Sequence, residues 1–317
     1  MSKGKILLAV TGFDPAVWRK ALEMAAPDRT VVEEPDGAED GSIDYAVVWK
    51  QQKGILDRLP NLKAVFSIGA GVDHIFAGGD APRVPVVRVV AEDLTGRMSE
   101  YVAWQVLDHH RKGPLYRSQQ ARKIWHEDRF QPAAEDVTVG ILGLGQLGTD
   151  AARKLSALGF RLAGWSRSPK TVDGVDTYAG DAGLGAFLAA CDIVVCLLPL
   201  TTDTRGILAA PLFDRMKREG PLGAPVLINA GRGGLQNETD ILAALDDGRL
   251  GAVSLDVFET EPLPADNPLW AHPKVMITPH AAATSVPEAL VPPMIAQMDA
   301  HDRGEPLRDL VDPEAGY

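Results

Sequence analysis

Cysteine is almost absent: Cys191 and Cys196 are the only two in 317 residues. They lie in the apolar run CDIVVCLLPL at a spacing that is not C-x-x-C. This excludes a disulfide framework, and both read as reduced thiols in a buried strand. Long apolar runs are missing as well. The opening MSKGKILLAV is too short in its apolar part for a signal peptide or a membrane span. The expectation is a cytoplasmic protein with no membrane partner. Positive charge is in deficit, with 32 Lys and Arg against 43 Asp and Glu and a net charge of −11. That argues against a general nucleic-acid binder, while small anions remain open because they respond to local fields. The paired His109 and His110 lack metal-ligand spacing, and no metal site is expected. With His126 they fall in helical patterns and read as surface or interface residues; His74 and His272 read as structural. There are no repeats and no low-complexity tract.

What is present is an alternation of short apolar runs with helical patterns. KILLAVT (5–11), YAVVW (45–49), LKAVFSIG (62–69) and VPVVRVV (84–90) read as strands, and PAVWRKALEMAA (15–26) as a helix opened by Pro15. A long helix is expected from Gly96 through MSEYVAWQVLDHHRK. A second series follows: VTVGILGLG, FRLAGWS, DIVVCLLP, PVLINAG, AVSLDVF and KVMITPH. Continuous Val/Ile/Leu runs between helices mean strands buried on both faces, hence parallel sheets. The expected fold is α/β, with two doubly wound, Rossmann-like domains and an active-site cleft between them. The segment after Ser285 has no strands of its own and is placed back on the first domain. That domain is therefore discontinuous, 1–96 with 284–317, around a dinucleotide-binding domain at 97–283. Pro287, Pro292 and Pro293 are expected to break or kink the last helix.

The glycines of GILGLGQLG, namely Gly143, Gly145 and Gly148 around Gln146 and Leu147, fit the dinucleotide fingerprint G-x-G-x-x-G between a strand and a helix. The early glycines permit a tight turn and close approach to a pyrophosphate, and the helix N-terminus faces the phosphates. An acidic residue about 20 positions on would hold the ribose 2′-hydroxyl of NAD. None is there. Ser166, Arg167 and Ser168 stand in its place, with Lys170 nearby. Hydroxyls and an arginine fork suit a 2′-phosphate, which an acid would repel. The cofactor expected is NADP(H), with NAD(H) a weaker alternative.

INAGRGG, LDVFETEPLP and ITPHAAA each end a strand, where open α/β sheets bind ligands. They carry Arg232, Glu261 and His280. Reduction of a 2-oxo acid needs a cation for the carboxylate, a proton donor for the oxygen and a hydride. Arg232 suits the first role and His280 the second, with Glu261 holding His280 and favouring its charged form. Glu259 competes with Glu261 for that place.

Together with GAGVDH (69–74) and LLPLTTDT, these motifs resemble, in order and over nearly the whole chain, the D-isomer-specific 2-hydroxyacid dehydrogenases. GWSRSPK, EPLPADNPLW and HPKVMITPH are similar to the glyoxylate/hydroxypyruvate reductase A branch. The resemblance implies that Arg232, Glu261 and His280 are catalytic. It implies substrate contacts at Gly69, Ala70, Gly71 and Val72, with Trp49 as a pocket wall. It also implies cofactor contacts at Met98, Leu198, Pro199, Leu200, Thr204 and Ala230, and at Asp256 toward the nicotinamide carboxamide. The implied partners are a small 2-oxo or 2-hydroxy acid, glyoxylate and hydroxypyruvate foremost, and a second copy of the chain in a homodimer. A dehydrogenase for a larger 2-oxo acid such as phenylpyruvate, or a dinucleotide-sensing binding protein without turnover, are the alternatives. In GGLQNETDIL, Asn237 reads as a helix N-cap.

Overall fold

Parallel strands covered on both faces bury every side chain, which is why Val, Ile and Leu crowd the strand positions. The computed structural model describes residues 3–76, 82–313 and 316. It packs as two compact units, Met1–Leu94 with Ser285–Tyr317, and Thr95–Thr284. The first unit holds β1 (Lys5–Val10), β2 (Val31–Val32), β3 (Ile43–Trp49), β4 (Ala64–Ser67) and β5 (Val86–Val87), in the order β2-β1-β3-β4-β5. The second holds β6 (Thr138–Leu142), β7 (Arg161–Ser166), β8 (Asp176–Ala179), β9 (Ile193–Cys196), β10 (Val226–Asn229), β11 (Ala252–Leu255) and β12 (Val275–Ile277). Their order is β12-β11-β10-β9-β6-β7-β8. Every pairing within these sheets is parallel. Both are doubly wound sheets, and in each the strand order reverses beside the first strand, at β1/β3 and at β6/β9.

Several expectations need correcting. β2 and β8 carry no apolar run of their own: β2 is two residues long, and β8 is an edge strand whose first two residues are exposed. The 84–90 run forms a strand only at Val86–Val87. The long helix starts at Glu92 and not at Gly96, with Glu92 and Asp93 in its first turn, charges that suit the helix dipole. The last helix, Pro287–Asp302, runs through Pro292 and Pro293 without a break. Both prolines lie on its exposed side, where water can serve the carbonyls that lose a donor. His109 and His110 are buried, not at the surface, and His126 lies outside any helix. The Asn237 cap is present: its side chain accepts from Asp240 N at 3.1 Å.

The first unit is closed by a polar clamp. The Arg29 side chain is fully buried and pairs with Asp299 at 3.1 Å and Asp302 at 2.5 Å. Its guanidinium lies 5.2 Å from the centre of the Tyr45 ring, and the Tyr45 hydroxyl donates to Asp302 at 2.9 Å. These bonds fasten the helix Pro287–Asp302 to residues that precede it by more than 250 positions. Breaking a buried pair of this kind leaves an uncompensated charge.

Candidate active site

The glycine loop leaves β6 at Gly143, whose φ of +107° favours glycine. Gly148 lies on the first turn of the helix Gln146–Ala157. A Cβ there would fall 2.1 Å from the Gly143 carbonyl oxygen, so only glycine lets helix and turn close on each other. At Gly145, which caps the same helix, a Cβ would meet nothing within 4 Å. The backbone at this helix N-terminus is therefore open to a close ligand, as a pyrophosphate requires.

β7 ends at Ser166, which is buried and donates from Oγ to Ser168 O at 2.8 Å. Arg167, Ser168 and Lys170 are exposed beyond it. Lys170 Nζ donates to Leu144 O at 2.9 Å, so a positive charge is anchored to the glycine turn itself. Beyond β9, Leu198 is buried, and Thr204 ties the loop by donating to Pro199 O at 2.6 Å and accepting from Thr201 N at 2.9 Å. Leu200 borders Gly234, where a Cβ would come 2.9 Å from its Cδ2. Met98 and Ala230 are buried, and Ala230 N donates to Cys196 O at 3.2 Å.

Three neighbouring strands end in the residues singled out for chemistry. After β10, Arg232 precedes a 3-10 turn, Gly233–Leu235, and its carbonyl accepts from Asn229 Nδ2 at 3.2 Å. Its Nη1 donates to Gly231 O at 2.8 Å. After β11, Glu261 Oε1 accepts from Phe258 N at 3.2 Å, which turns its other oxygen toward His280. After β12, His280 Nδ1 lies 2.9 Å from Glu261 Oε2. An ionised carboxylate only accepts, so Nδ1 carries the hydrogen and Nε2 is left to act outward. Glu259 is engaged elsewhere, accepting from Glu238 N at 3.2 Å and donating its own N–H to Glu238 at 2.9 Å.

Asp256, 1% exposed, faces inward. Its carboxylate accepts from Thr278 Oγ1 at 2.6 Å, Ala281 N at 2.8 Å and Ala282 N at 3.0 Å. Its carbonyl accepts from His280 N at 2.7 Å. His280 has φ +54°, a left-handed conformation that a non-glycine residue holds only when its surroundings fix it. Thr278 was not among the residues singled out from the sequence; its place two residues before the histidine was the available signal.

In the first unit, the loop after β4 carries Gly69, Ala70, Gly71 and Val72. Trp49, ending β3, lies over Gly69 so closely that a Cβ there would fall 2.1 Å from the indole. The His74 ring lies tilted against Trp49 with centroids 4.6 Å apart, and Phe13 meets the indole edge-on at 6.1 Å. Among the described residues, no backbone carbonyl accepts from the N–H of Ala70 or Gly71.

The sequence model described as the D-isomer specific 2-hydroxyacid dehydrogenase, NAD binding domain, matches residues 103–282. The chain belongs to this dehydrogenase family. Among its curated relatives is the glyoxylate/hydroxypyruvate reductase A of Yersinia enterocolitica, 38% identical over 312 residues, covering 96% of this chain and 97% of that protein. Among solved structures, the NADPH-dependent glyoxylate/hydroxypyruvate reductase of Sinorhizobium meliloti, in complex with NADP and sulfate, superposes with a TM-score of 0.94 at 49% identity. The match covers 99% of this dehydrogenase and all of that one. A D-isomer specific 2-hydroxyacid dehydrogenase of Xanthobacter autotrophicus Py2, in complex with NADPH and MES, gives 0.93 at 37% identity, covering 99% and 100%.

Proposed function

We propose that this dehydrogenase reduces small 2-oxo acids, glyoxylate and hydroxypyruvate foremost, to D-2-hydroxy acids with NADPH. The pair His280–Glu261, beside Arg232 on the neighbouring strand ends, carries the reading. The cofactor is received by the glycine loop 143–148, with Gln146 and Leu147 opening the helix. Leu198, Pro199, Leu200, Thr204, Met98, Ala230 and Asp256 border it. Ser166, Arg167, Ser168 and Lys170 receive a 2′-phosphate. Three acceptor bonds at Asp256 leave one carboxylate lone pair for the nicotinamide amide.

When bound, NADPH supplies the hydride to the carbonyl carbon. Arg232 receives the substrate carboxylate through its forked donors and polarises the adjacent carbonyl. As the carbonyl oxygen gains charge, His280 passes it the proton on Nε2, giving the hydroxy acid. Glu261 holds the ring by its Nδ1–H and offsets the positive charge of the doubly protonated imidazolium that gives up the Nε2 proton. In the first unit, the N–H groups of the loop 69–72 suit a carboxylate, and Trp49, fixed by His74 and Phe13, limits bulk.

The His280–Glu261 pair beside Arg232, together with curated relatives that are reductases, supports turnover over dinucleotide sensing. We also read the protein as a cytoplasmic homodimer. Trp104 on the helix Glu92–His110, and Trp125 and Phe130 beyond it, are exposed aromatic side chains that a second copy would suit. Among the described residues no helix is long and apolar enough to cross a membrane. Steady-state rates with NADPH and NADH across glyoxylate, hydroxypyruvate, pyruvate, 2-oxoisocaproate and phenylpyruvate test the function. Phenylpyruvate as the best substrate by about tenfold, ~1.4 kcal/mol in transition-state binding, would overturn the small-pocket reading.

A further inference from the structure

The side chain of Tyr101 projects from the helix Glu92–His110 and is buried. Its hydroxyl lies 2.8 Å from Thr278 Oγ1. Thr278 has one hydroxyl hydrogen, and Asp256, which only accepts when ionised, lies 2.6 Å away on its other side. That hydrogen therefore goes to Asp256, and Tyr101 must donate to Thr278. The result is a directed chain, phenol to hydroxyl to carboxylate. Burial pushes the Tyr101 phenol up from its ordinary range, so the donor keeps its proton at every working pH.

The chain ends where the proton donor is held. Asp256 fastens the backbone on both sides of the His280 side chain: its carbonyl takes the N–H of His280, and its carboxylate takes those of Ala281 and Ala282. The left-handed turn at His280 depends on these bonds. The helix at the other end is itself pinned to the same unit. Ser99 donates to Asp150 at 2.6 Å, and His109 Nε2 lies 2.8 Å from Ser254 Oγ, two residues before Asp256. A rigid element thus reaches the histidine turn through two hydroxyls.

We infer that Tyr101 is a positioning residue for His280, acting through Thr278 and Asp256; this rests on the role given to His280 above. Removing the phenol oxygen leaves Thr278 and Asp256 in place but free to shift, which moves the imidazole relative to the carbonyl it protonates.

The test uses the full chain with Tyr101→Phe, Thr278→Val, Thr278→Ser and the double variant Tyr101→Phe/Thr278→Val. Expected are losses of about tenfold in kcat for the first two, since small misplacements are costly in rate. Thr278→Ser retains the hydroxyl and should restore the rate. The double variant should be no slower than the slower single, because both break one chain. A purely structural role would instead make the rate follow thermal stability and leave the losses multiplicative. Histidine ring NMR signals, with that of His280 assigned from His280→Ala, supply a readout without turnover: they should move in Tyr101→Phe and Thr278→Val and not in Thr278→Ser. An unaltered kcat and an unmoved His280 signal in Tyr101→Phe overturn the inference. If the unmodified enzyme reduces none of the 2-oxo acids, the proposed reaction falls, and the His280 signal alone decides the positioning.

Discussion

His109 gives the protein a defined acid sensitivity. Burial lowers its pKa from 6.5 to about 4. The neutral ring fits against Ser254; a charged ring would sit in a region with almost no water. Between these two values the unfolded chain binds a proton that the folded chain refuses. Stability from this residue is therefore fully present above pH 6.5 and is lost as pH falls toward 4. Integrating the two titrations gives a loss of about 2 kcal/mol at pH 5 and about 3 kcal/mol at pH 4. His110, also lowered by burial, adds to the same window. The carboxylates of Asp150 and Asp302, lowered to about 2 by their bonds to basic and hydroxyl groups, act only at lower pH. Urea unfolding of the protein and of His109→Gln, at pH 7.5, 6 and 5, isolates the effect, because glutamine can keep a bond to Ser254 without titrating. The stability gap between the two should shift toward the variant by about 2 kcal/mol from pH 7.5 to 5. A gap that does not change with pH would refute the reasoning.

Other outcomes follow from the site. Arg167→Asp should remove the preference for NADPH, costing roughly 1.5–3 kcal/mol of a charge-assisted contact, read as the ratio of kcat/KM values for the two cofactors; equal efficiencies in the unmodified protein would sink the 2′-phosphate assignment. Gly148→Ala brings a Cβ to 2.1 Å from Gly143 O, so the dissociation constant of NADPH, followed by fluorescence, should rise well above that of the unmodified protein. His280→Ala should lower kcat for reduction by roughly 10²–10⁴. Glu261→Gln should lower it less, and Glu259→Gln should leave it near normal; the reverse order of the two glutamates would reassign the pair.

The legible parts of this chain are those where one physical signal dominates. Runs such as VTVGILGLG and DIVVCLLP announce buried parallel strands, and Gly143 and Gly148 at the first mark a turn whose positive φ and close approach require glycine. Arg232, Glu261 and His280 stand at strand ends, so the topology rule finds them. β8 escapes because an edge strand needs no apolar face on its outer side. The last helix escapes because the rule against internal prolines assumes that the carbonyl four residues before each is left without any donor, whereas Pro292 and Pro293 lie on the exposed side, where water can serve. Tyr101 reads as one more packing aromatic among Trp104 and its neighbours. Its role depends on Thr278, 177 positions away, and no local pattern announces such a bond.

The clamp of Arg29 on Asp299 and Asp302 also bears on how the chain is born. On the ribosome, β1 to β5 emerge first, yet the helix that completes their unit is made only after the whole second unit. At about 5–20 residues per second, that interval lasts roughly 10–40 seconds. Throughout it, the charge of Arg29 and one face of a young hydrophobic sheet lack the helix Pro287–Asp302 that will cover them. The second unit, continuous in sequence, can mature in the meantime. Synthesis therefore passes through a nascent state with a finished cofactor fold and an unfinished neighbour. This is the stage at which chaperones would find the most to hold, and at which a premature stop would leave the most sticky remnant.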